Sequence, residues 1–414
     1  MNDTLSMPTS AAAGLPAHCD VLVVGAGPAG SACAQLLARA GLHVVLADQH
    51  NFPRDKVCGD GLIPDSHAAL RRLGVYDEVA ALARAVHHVR CIGPRGGVVD
   101  VPGTMSVVPR QVLDHVLVRA AQDAGAKLHT PWRFETPLLD GEQVVGATFK
   151  TPSGPHDVRA RWVVLATGAV PQASIAAGLC ERRTPSGVAL RGYVHNPALV
   201  PSITQLQLLW HPRLRGGYGW IFPEPDGVFN IGVGLTDSQW VNGKGRRQDF
   251  NLRDMFNALC EVYAPARELM AGGTLVGEIK GAPLRCSLKG ARWTRPGLLG
   301  TGEVVGSTYD FTGEGIGKAM ETGMLAAEAI VQDRQASDAD VRQRYEAGLA
   351  GLKPRFQMYE AASRVNHLPW LADLVVWRAR KSPRILRRMS GMLDETQNPG
   401  RLFTWGGMRK LMFE

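Results

Sequence analysis

The feature that most restricts how this chain can fold is the hexapeptide Gly25-Ala26-Gly27-Pro28-Ala29-Gly30, set between an apolar run at 19–24 and an alanine- and leucine-rich stretch at 31–40 without a helix breaker. That order predicts strand, turn and helix. A second apolar run at 42–47 ends on Asp48 and completes a β-α-β unit of about 30 residues, the length a parallel pair with its crossover helix requires. Glycines at these positions permit a tight turn and let the backbone approach a pyrophosphate at the helix N-terminus, where N–H groups have no partner within the helix. Asp48 stands where a carboxylate can accept hydrogen bonds from an adenosine ribose. Gly25, Gly27, Ala29, Gly30 and Asp48 are therefore candidate cofactor-binding residues of a Rossmann-type dinucleotide site. The alternative is a glycine-rich turn that holds no ligand.

With 414 residues, 45% of them hydrophobic and 20% charged, the chain can bury a large core and divides into two or three subdomains. No uncharged apolar run reaches the length of about 18 residues expected of a membrane-crossing helix. Residues 1–18 are small and polar, lack the basic and apolar regions of a signal peptide, and are expected to form a disordered leader. A cytoplasmic location follows. Seven scattered cysteines, with no CxxC pair and no metal-like His/Cys spacing, predict reduced thiols and no structural metal. The net charge of +8 favours anionic partners, but no nucleic-acid-binding motif accompanies it, so nucleic acid is not an expected partner.

Residues 51–65 are dense in Pro, Gly and charge and predict a loop at a site. A helix is expected at 113–126 and a buried parallel strand at 162–166. Between 171 and 283 alternating stretches such as 205–210 and 228–234 are separated by Pro/Gly turns, which predicts an inserted, mainly antiparallel substrate domain. A strand returns at 297–302 and a helix at 313–333. From 341 onward the chain is expected to be mainly helical, with arginines interleaved with Trp370, Trp377 and Trp405. The expected division is thus a nucleotide-binding domain at 19–170 and 284–335, the substrate domain at 171–283 and a helical region at 336–414.

Three further segments, Phe52-Pro53-Arg54-Asp55-Lys56-Val57-Cys58-Gly59-Asp60-Gly61, Tyr218-Gly219-Trp220-Ile221-Phe222-Pro223 and Phe311-Thr312-Gly313-Glu314-Gly315-Ile316, resemble in this order the signature segments of the geranylgeranyl reductase family. The resemblance extends over residues 20–400. Members of that family are FAD-dependent reductases of isoprenoid double bonds, in a superfamily shared with aromatic hydroxylases and flavin-dependent halogenases. The resemblance implies an α/β fold: a Rossmann-type FAD-binding domain, an inserted mainly antiparallel β-sheet substrate domain and a helical C-terminal region. It also implies that Cys58, Gly59 and Gly61 lie beside the flavin, Arg110 near the FAD phosphates or ribose, and Gly315 and Ile316 near the pyrimidine edge of the flavin. Where the family carries Gly-Asp-Ala-Ala, this chain has Gly302-Glu303-Val304-Val305, so Glu303 is the implied partner of the ribityl chain, one methylene longer than the usual acid. At Ala166-Thr167-Gly168-Ala169 a threonine replaces the aspartate of the hydroxylase motif.

Gly313 and Gly315 agree with this on physical grounds, since they open a helix whose N–H groups and positive dipole end can stabilise negative charge on a reduced flavin. Lys56 and Cys58 are the candidate catalytic groups, a cation and a thiol, the thiol acting as proton donor or as a small buried apolar group. Tyr218, Trp220 and Phe222 are candidate walls of an apolar substrate pocket, with core packing as the alternative use of such aromatics. The expected activity is hydride transfer from FAD to a carbon–carbon double bond of an isoprenoid or polyene-like substrate. NADPH or NADH would visit transiently, or another protein would supply the electrons, because the chain has no second GxGxxG. A flavin-dependent monooxygenase or halogenase and a redox-silent, membrane-associated relative are the alternatives. The basic run at 377–388, with apolar residues interspersed, can rest peripherally on the inner face of an acidic membrane or form a solvated helix face.

Overall fold

We describe a computed structural model of the chain, covering residues 15–235, 251–393 and 395. Residues 1–14 of the expected leader and Trp405 lie outside the described residues. Residue 18, placed in the expected leader, instead begins a strand, and Ala17 O accepts from Arg159 N–H at 2.9 Å, because a backbone carbonyl beside an open strand finds a partner there.

Strand β1 (His18–Val24) leads into helix α1 (Pro28–Arg39), and β2 (Val44–Ala47) returns parallel to β1. Helix α1 starts three residues earlier than the sequence pattern suggested, with Pro28 in its first turn, where the missing N–H would be unpaired in any case. There follow β3 (Gly61–Leu62), α2 (Pro64–Leu73), α3 (Tyr76–Leu82), β4 (Arg84–Ile92), β5 (Val98–Val107) and α4 (Arg110–Asp123). Next come β6 (Lys127–His129), β7 (Arg133–Asp140), β8 (Gln143–Thr151), β9 (Gly154–Leu165) and α5 (Pro171–Ala176). Strands β10 (Gly187–His195), β11 (Leu206–Leu209), β12 (Gly217–Pro223) and β13 (Val228–Leu235) precede α6 (Leu252–Val262), α7 (Ala264–Gly272) and β14 (Thr274–Leu284). The chain closes with β15 (Thr294–Arg295), β16 (Leu298–Gly300), α8 (Ile316–Val331), α9 (Asp338–Ala362), α10 (Arg364–His367), α11 (Trp370–Lys381) and α12 (Pro383–Leu393).

The first sheet runs β15-β16-β9-β1-β2-β6, with the hairpin β7-β8 attached to β9. Its central strands β1, β2 and β9 are parallel and buried on both faces, which is why they read as continuous apolar runs. Residues of α1, α8 and α9 cover one face, including Leu37, Ile330 and Phe356; Trp132, Val144 and Phe149 cover the other.

The second sheet runs β14-β10-β13-β12-β11-β4-β5-β3 and is wider than the insertion expected at 171–283. Three of its strands come from residues 61–107, and β11 joins β4 in parallel, Leu206 opposite Val89. The reason is burial. The β4-β5 hairpin carries Val89, Cys91, Val99 and Val101 on one face, and these need the larger sheet and a cover to leave water. The cover is the C-terminal region: Leu371, Val375, Val376, Ala379 and Ile385 of α11 and α12 pack on that face, while α6 and α7 pack on the other.

Candidate functional site

A cavity of about 1020 Å³ joins the C-terminal end of β1 to the underside of α11 and α12. Gly25, Gly27, Ala29 and Asp48 line it at the first sheet; Val375, Met389 and Leu393 line it beneath the helices. Three glycines of the first turn do different things. Gly25 has φ +103°, and a Cβ there would lie 2.4 Å from Ala166 O. A Cβ on Gly30 would lie 1.7 Å from Gly25 O, and Gly30 is absent from the cavity lining: it lets helix and strand pack closely. Gly27, with φ −75°, is free to be any residue, and its Cβ would meet nothing nearer than Arg54 Nη2 at 3.5 Å. The protein therefore leaves room for a Cβ at Gly27, which lines the cavity.

Asp48 ends β2 with its carboxylate tied on both oxygens, Ala26 N–H donating to Oδ2 at 2.8 Å and His50 N–H to Oδ1 at 2.9 Å. Burial alone would raise its pKa, but the His50 hydrogen bonds, the Arg54 charge and the Ala26 N–H outweigh it and hold the carboxyl below its ordinary value. Oδ1 also meets His50 Nδ1 at 3.4 Å, while Oδ2 keeps a second lone pair for a ribose hydroxyl.

Arg110 begins α4 and pairs with Asp114 through two hydrogen bonds of 2.7 and 2.8 Å. Arg54 Nη2 reaches the same carboxylate at 3.2 Å. Two guanidinium groups thus share one fully buried carboxylate and leave positive charge facing the cavity. Arg54 Nε is buried without a hydrogen-bond partner among the described residues. The sequence motif contained Arg54 but gave no signal that it stands over Gly27. A bare Gly27, the uncapped N-terminus of α1, the unpaired Arg54 Nε and Asp48 together fit the phosphates and ribose of a dinucleotide.

The Cys58 loop meets the second sheet directly. A Cβ on Gly59 would lie 3.2 Å from Phe222 Cε2 and 3.7 Å from Trp220 Nε1, and one on Gly61 would lie 3.4 Å from Phe222. Asn230 ties the two units together: its Oδ1 accepts from Trp220 Nε1 at 2.8 Å, and its Nδ2 donates to Cys58 O and Asp60 Oδ2, each at 2.8 Å. A lone Asn in the apolar strand 228–234 was the available sequence signal for this residue. Burial, with the Asp60 charge second, raises the Cys58 pKa, so the group is a thiol at neutral pH. Lys56 also lines the cavity, its Nζ 3.5 Å from Val57 O.

Tyr218, Trp220 and Phe222 alternate along β12 and so share the face turned to the cavity. Gly232 and Gly234 pair with Trp220 and Tyr218 on β13, and a Cβ on Gly232 would lie 2.3 Å from Trp220 Cζ2, so these glycines seat the indole. Trp210 and Phe311, whose ring centroids are 6.4 Å apart and nearly parallel, extend the wall; neither was singled out from sequence. The Tyr218 hydroxyl donates to Thr312 O, connecting the aromatic strand to the glycine turn before α8. Gly313 has φ +71°, which moves the helix start from the expected 313 to Ile316. A Cβ on Gly315 would lie 2.5 Å from Thr308 Oγ1, so packing as well as the cavity keeps it bare. Gly313, Gly315, Ile316 and Glu303 all line the cavity, and Glu303 Oε1 accepts from Thr308 Oγ1 at 3.1 Å. Thr167, also in the lining, has a buried hydroxyl without a hydrogen-bond partner among the described residues.

Residues 18–200 match the family model of the FAD binding domain. The chain is 36% identical over 327 residues to menaquinone reductase of Mycolicibacterium smegmatis, covering 75% of this chain and 76% of the relative. It is 29% identical over 321 residues to digeranylgeranylglycerophospholipid reductase 1 of Methanopyrus kandleri, covering 77% and 82%. A geranylgeranyl bacteriochlorophyll reductase-like protein of Thermoplasma acidophilum superposes with a TM-score of 0.70 at 22% identity over 96% of each chain. A flavin-dependent brominase superposes with a TM-score of 0.72 at 21% identity over 95% of this chain and 97% of its own. At such identities these two share the fold. With the dinucleotide cradle, the aromatic wall and these relatives in view, the chain belongs to the geranylgeranyl reductase-like family of FAD-dependent oxidoreductases.

Proposed function

We propose that the protein reduces carbon–carbon double bonds in the isoprenoid chain of an apolar lipid such as a prenylated quinone. The observation that carries this reading is the continuity of one cavity from the dinucleotide cradle to an apolar chamber walled by Trp210, Tyr218, Trp220 and Phe311 and roofed by Met389 and Leu393. The relatives named for menaquinone and for digeranylgeranylglycerophospholipid support the substrate class. Gly25, Gly27 and Ala29 at the α1 N-terminus, with Arg54 and Arg110, would hold the FAD pyrophosphate; Asp48 the ribose; Glu303 the ribityl chain. Gly59, Gly61, Gly313, Gly315 and Ile316 would border the flavin. Bound there, FAD supplies hydride chemistry, with NADPH or NADH as its transient donor. The Cys58 thiol, kept protonated by burial, gives the proton that balances hydride addition, and Lys56 contributes positive charge beside it. Tyr218, Trp220 and Phe222 align the chain and exclude water.

The test is anaerobic. Holoprotein reduced with dithionite is mixed with menaquinone; the oxidised flavin spectrum should return, and mass spectrometry after reoxidation of any quinol in air should find the lipid heavier by two hydrogens, with fragmentation placing them in the isoprenoid chain. A flavin that stays reduced with every prenylated quinone overturns the reading, and a hydroxylated or halogenated product formed only in air replaces it.

A lipid substrate also needs a surface at which it is collected, and α11 and α12 carry the appropriate chemistry. Trp370 and Trp377 are 50% and 47% exposed, beside exposed Arg380, Lys381 and Arg387. Replacing both tryptophans with serine should abolish co-sedimentation with vesicles containing anionic lipid; equal sedimentation of variant and wild type sinks the membrane proposal.

A further inference from the structure

Two buried carboxyl groups lie behind the Cys58 loop, and the site chemistry above uses neither. Asp60 is 0% exposed and Glu224, just past β12, is 1% exposed. Asp60 Oδ2 accepts from the Tyr193 hydroxyl and from Asn230 Nδ2, while Asp60 Oδ1 and both oxygens of Glu224 receive no N–H or O–H donor among the described residues. What Glu224 does meet is the Asp60 carboxyl. Two carboxylates cannot hydrogen-bond to each other; a carboxylate and a carboxylic acid can. The charged and titratable groups facing the pair are Arg191 and Tyr193 from β10, Arg110 from α4, Cys58 from the loop and Arg84 from β4, whose Nη1 donates to the Glu224 main-chain O at 3.4 Å. Arg191 is itself engaged by Asp55 and Lys56 O. Arg110 is likewise engaged by Asp114, so neither guanidinium is committed to the pair, and among the described residues the Glu224 carboxyl receives no N–H donor that would hold a charge.

The pair is also within reach of the thiol. Asp60 is two residues from Cys58, its backbone N–H is directed at the Cys58 sulfur, and Asn230 Nδ2 bridges Cys58 O and Asp60 Oδ2 at 2.8 Å each. Asp60 lines the cavity and Glu224 does not, so the second carboxyl is out of contact with whatever occupies the chamber.

We propose that Asp60 and Glu224 share one proton at neutral pH and act as the internal proton store that reloads Cys58 after it has protonated the substrate. This rests on the reading of Cys58 as the proton donor. The bookkeeping of atoms is simple: the C–H bond forms as the S–H bond breaks, Arg110 and the Asp60 N–H hold the resulting thiolate, and the shared proton moves from the carboxyl pair to sulfur. The pair then regains a proton from water, and no electron changes hands. In agreement, burial pushes the Glu224 pKa well above the ordinary carboxyl value, the Asp60 charge adding to it, and burial raises Asp60 to about 6 despite Tyr193, Arg191 and Arg110.

The experiment compares wild type with Glu224→Gln. In the infrared spectrum of wild-type holoprotein a carbonyl band of a buried protonated carboxyl should persist at neutral pH and vanish only in alkali; it should be missing from Glu224→Gln. Flavin reduction by dithionite should be unchanged in the variant. Reoxidation of its flavin by menaquinone should slow at least tenfold above neutral pH, and its pH profile should lose the wild-type inflection. Alkylation of Cys58, followed by peptide mass mapping, should shift its midpoint to lower pH, because in alkali the variant lacks the second negative charge that wild type gains when the pair loses its proton. A wild type without the carbonyl band, or a folded variant with unaltered pH profiles, overturns the store. Should Glu224→Gln not fold, a wild-type band that persists in Glu314→Gln, which removes the other buried acid raised to about 8, decides whether the proton is there. A wild type whose flavin no prenylated quinone reoxidises instead defeats the functional reading, and leaves the infrared result to decide the shared proton separately.

Discussion

Gly27→Ala separates what the fold needs from what the cofactor needs. At φ −75° and ψ −173° alanine is unstrained, and its Cβ would sit 3.5 Å from Arg54 Nη2, an ordinary contact. As an N-cap, alanine is worse than glycine by about 0.5–1 kcal/mol. Against this, the loss of glycine's freedom in the unfolded chain returns about 0.4–1 kcal/mol. The apoprotein should therefore keep its stability to within about 0.5 kcal/mol. FAD fares differently, because the new methyl stands between the α1 N–H groups and the cavity. Displacing a phosphate from one charge-assisted hydrogen bond loses about 1.5–3 kcal/mol, which raises Kd about tenfold to a hundredfold. Urea unfolding of the apoprotein and FAD titration by flavin fluorescence measure the two effects separately. Gly30→Ala serves as the contrast, since its Cβ would lie 1.7 Å from Gly25 O and should prevent folding outright. A folded Gly27→Ala protein with unchanged Kd, or an apoprotein destabilised by more than about 2 kcal/mol, refutes the reasoning.

Asp48→Ala should weaken FAD binding by about 1–3 kcal/mol in the same titration, and an unaltered Kd would mean that Asp48 only ties Ala26 and His50. Asn230→Ala strands the Trp220 N–H and the Cys58 carbonyl in the interior, and denaturant unfolding should show a loss of about 2–5 kcal/mol; a loss under about 1 kcal/mol contradicts the bridge. His67, in hydrogen-bond contact with Ser106 Oγ at 2.9 Å, has its pKa lowered from 6.5 to about 4 by burial and by Arg71. A depressed base adds stability above its unfolded pKa and loses it as pH falls, so wild type should lose up to about 3 kcal/mol between pH 6.5 and 4 from this group. His67→Gln should show a shallower decline of Tm with acid; parallel curves for the two proteins disprove the assignment.

The nucleotide-binding half was legible because its determinants are local. Glycines at 25, 27 and 30, the helix after them and Asp48 fall within one β-α-β unit, and each obeys backbone sterics or strand burial that neighbours in sequence already define. Helix starts were less legible. The start of α1 moved back to Pro28 and that of α8 forward to Ile316, since proline in a first turn and glycine at positive φ act on single residues, which apolar periodicity averages over.

What sequence alone determined is the dinucleotide turn, the acid at the end of β2 and the order of the signature segments, all set by short-range geometry. Tertiary structure decided the rest. Strands β4 and β5 joined a sheet more than 100 residues away through the β4–β11 pairing. The roof of the chamber came from α11 and α12, and the orphaned Arg54 Nε, the Asn230 bridge and the Asp60–Glu224 pair each depend on partners in other elements. Burial and charge compensation belong to the assembled interior, where a carboxyl's pKa and the partners of a guanidinium are set by which distant groups the packing brings alongside.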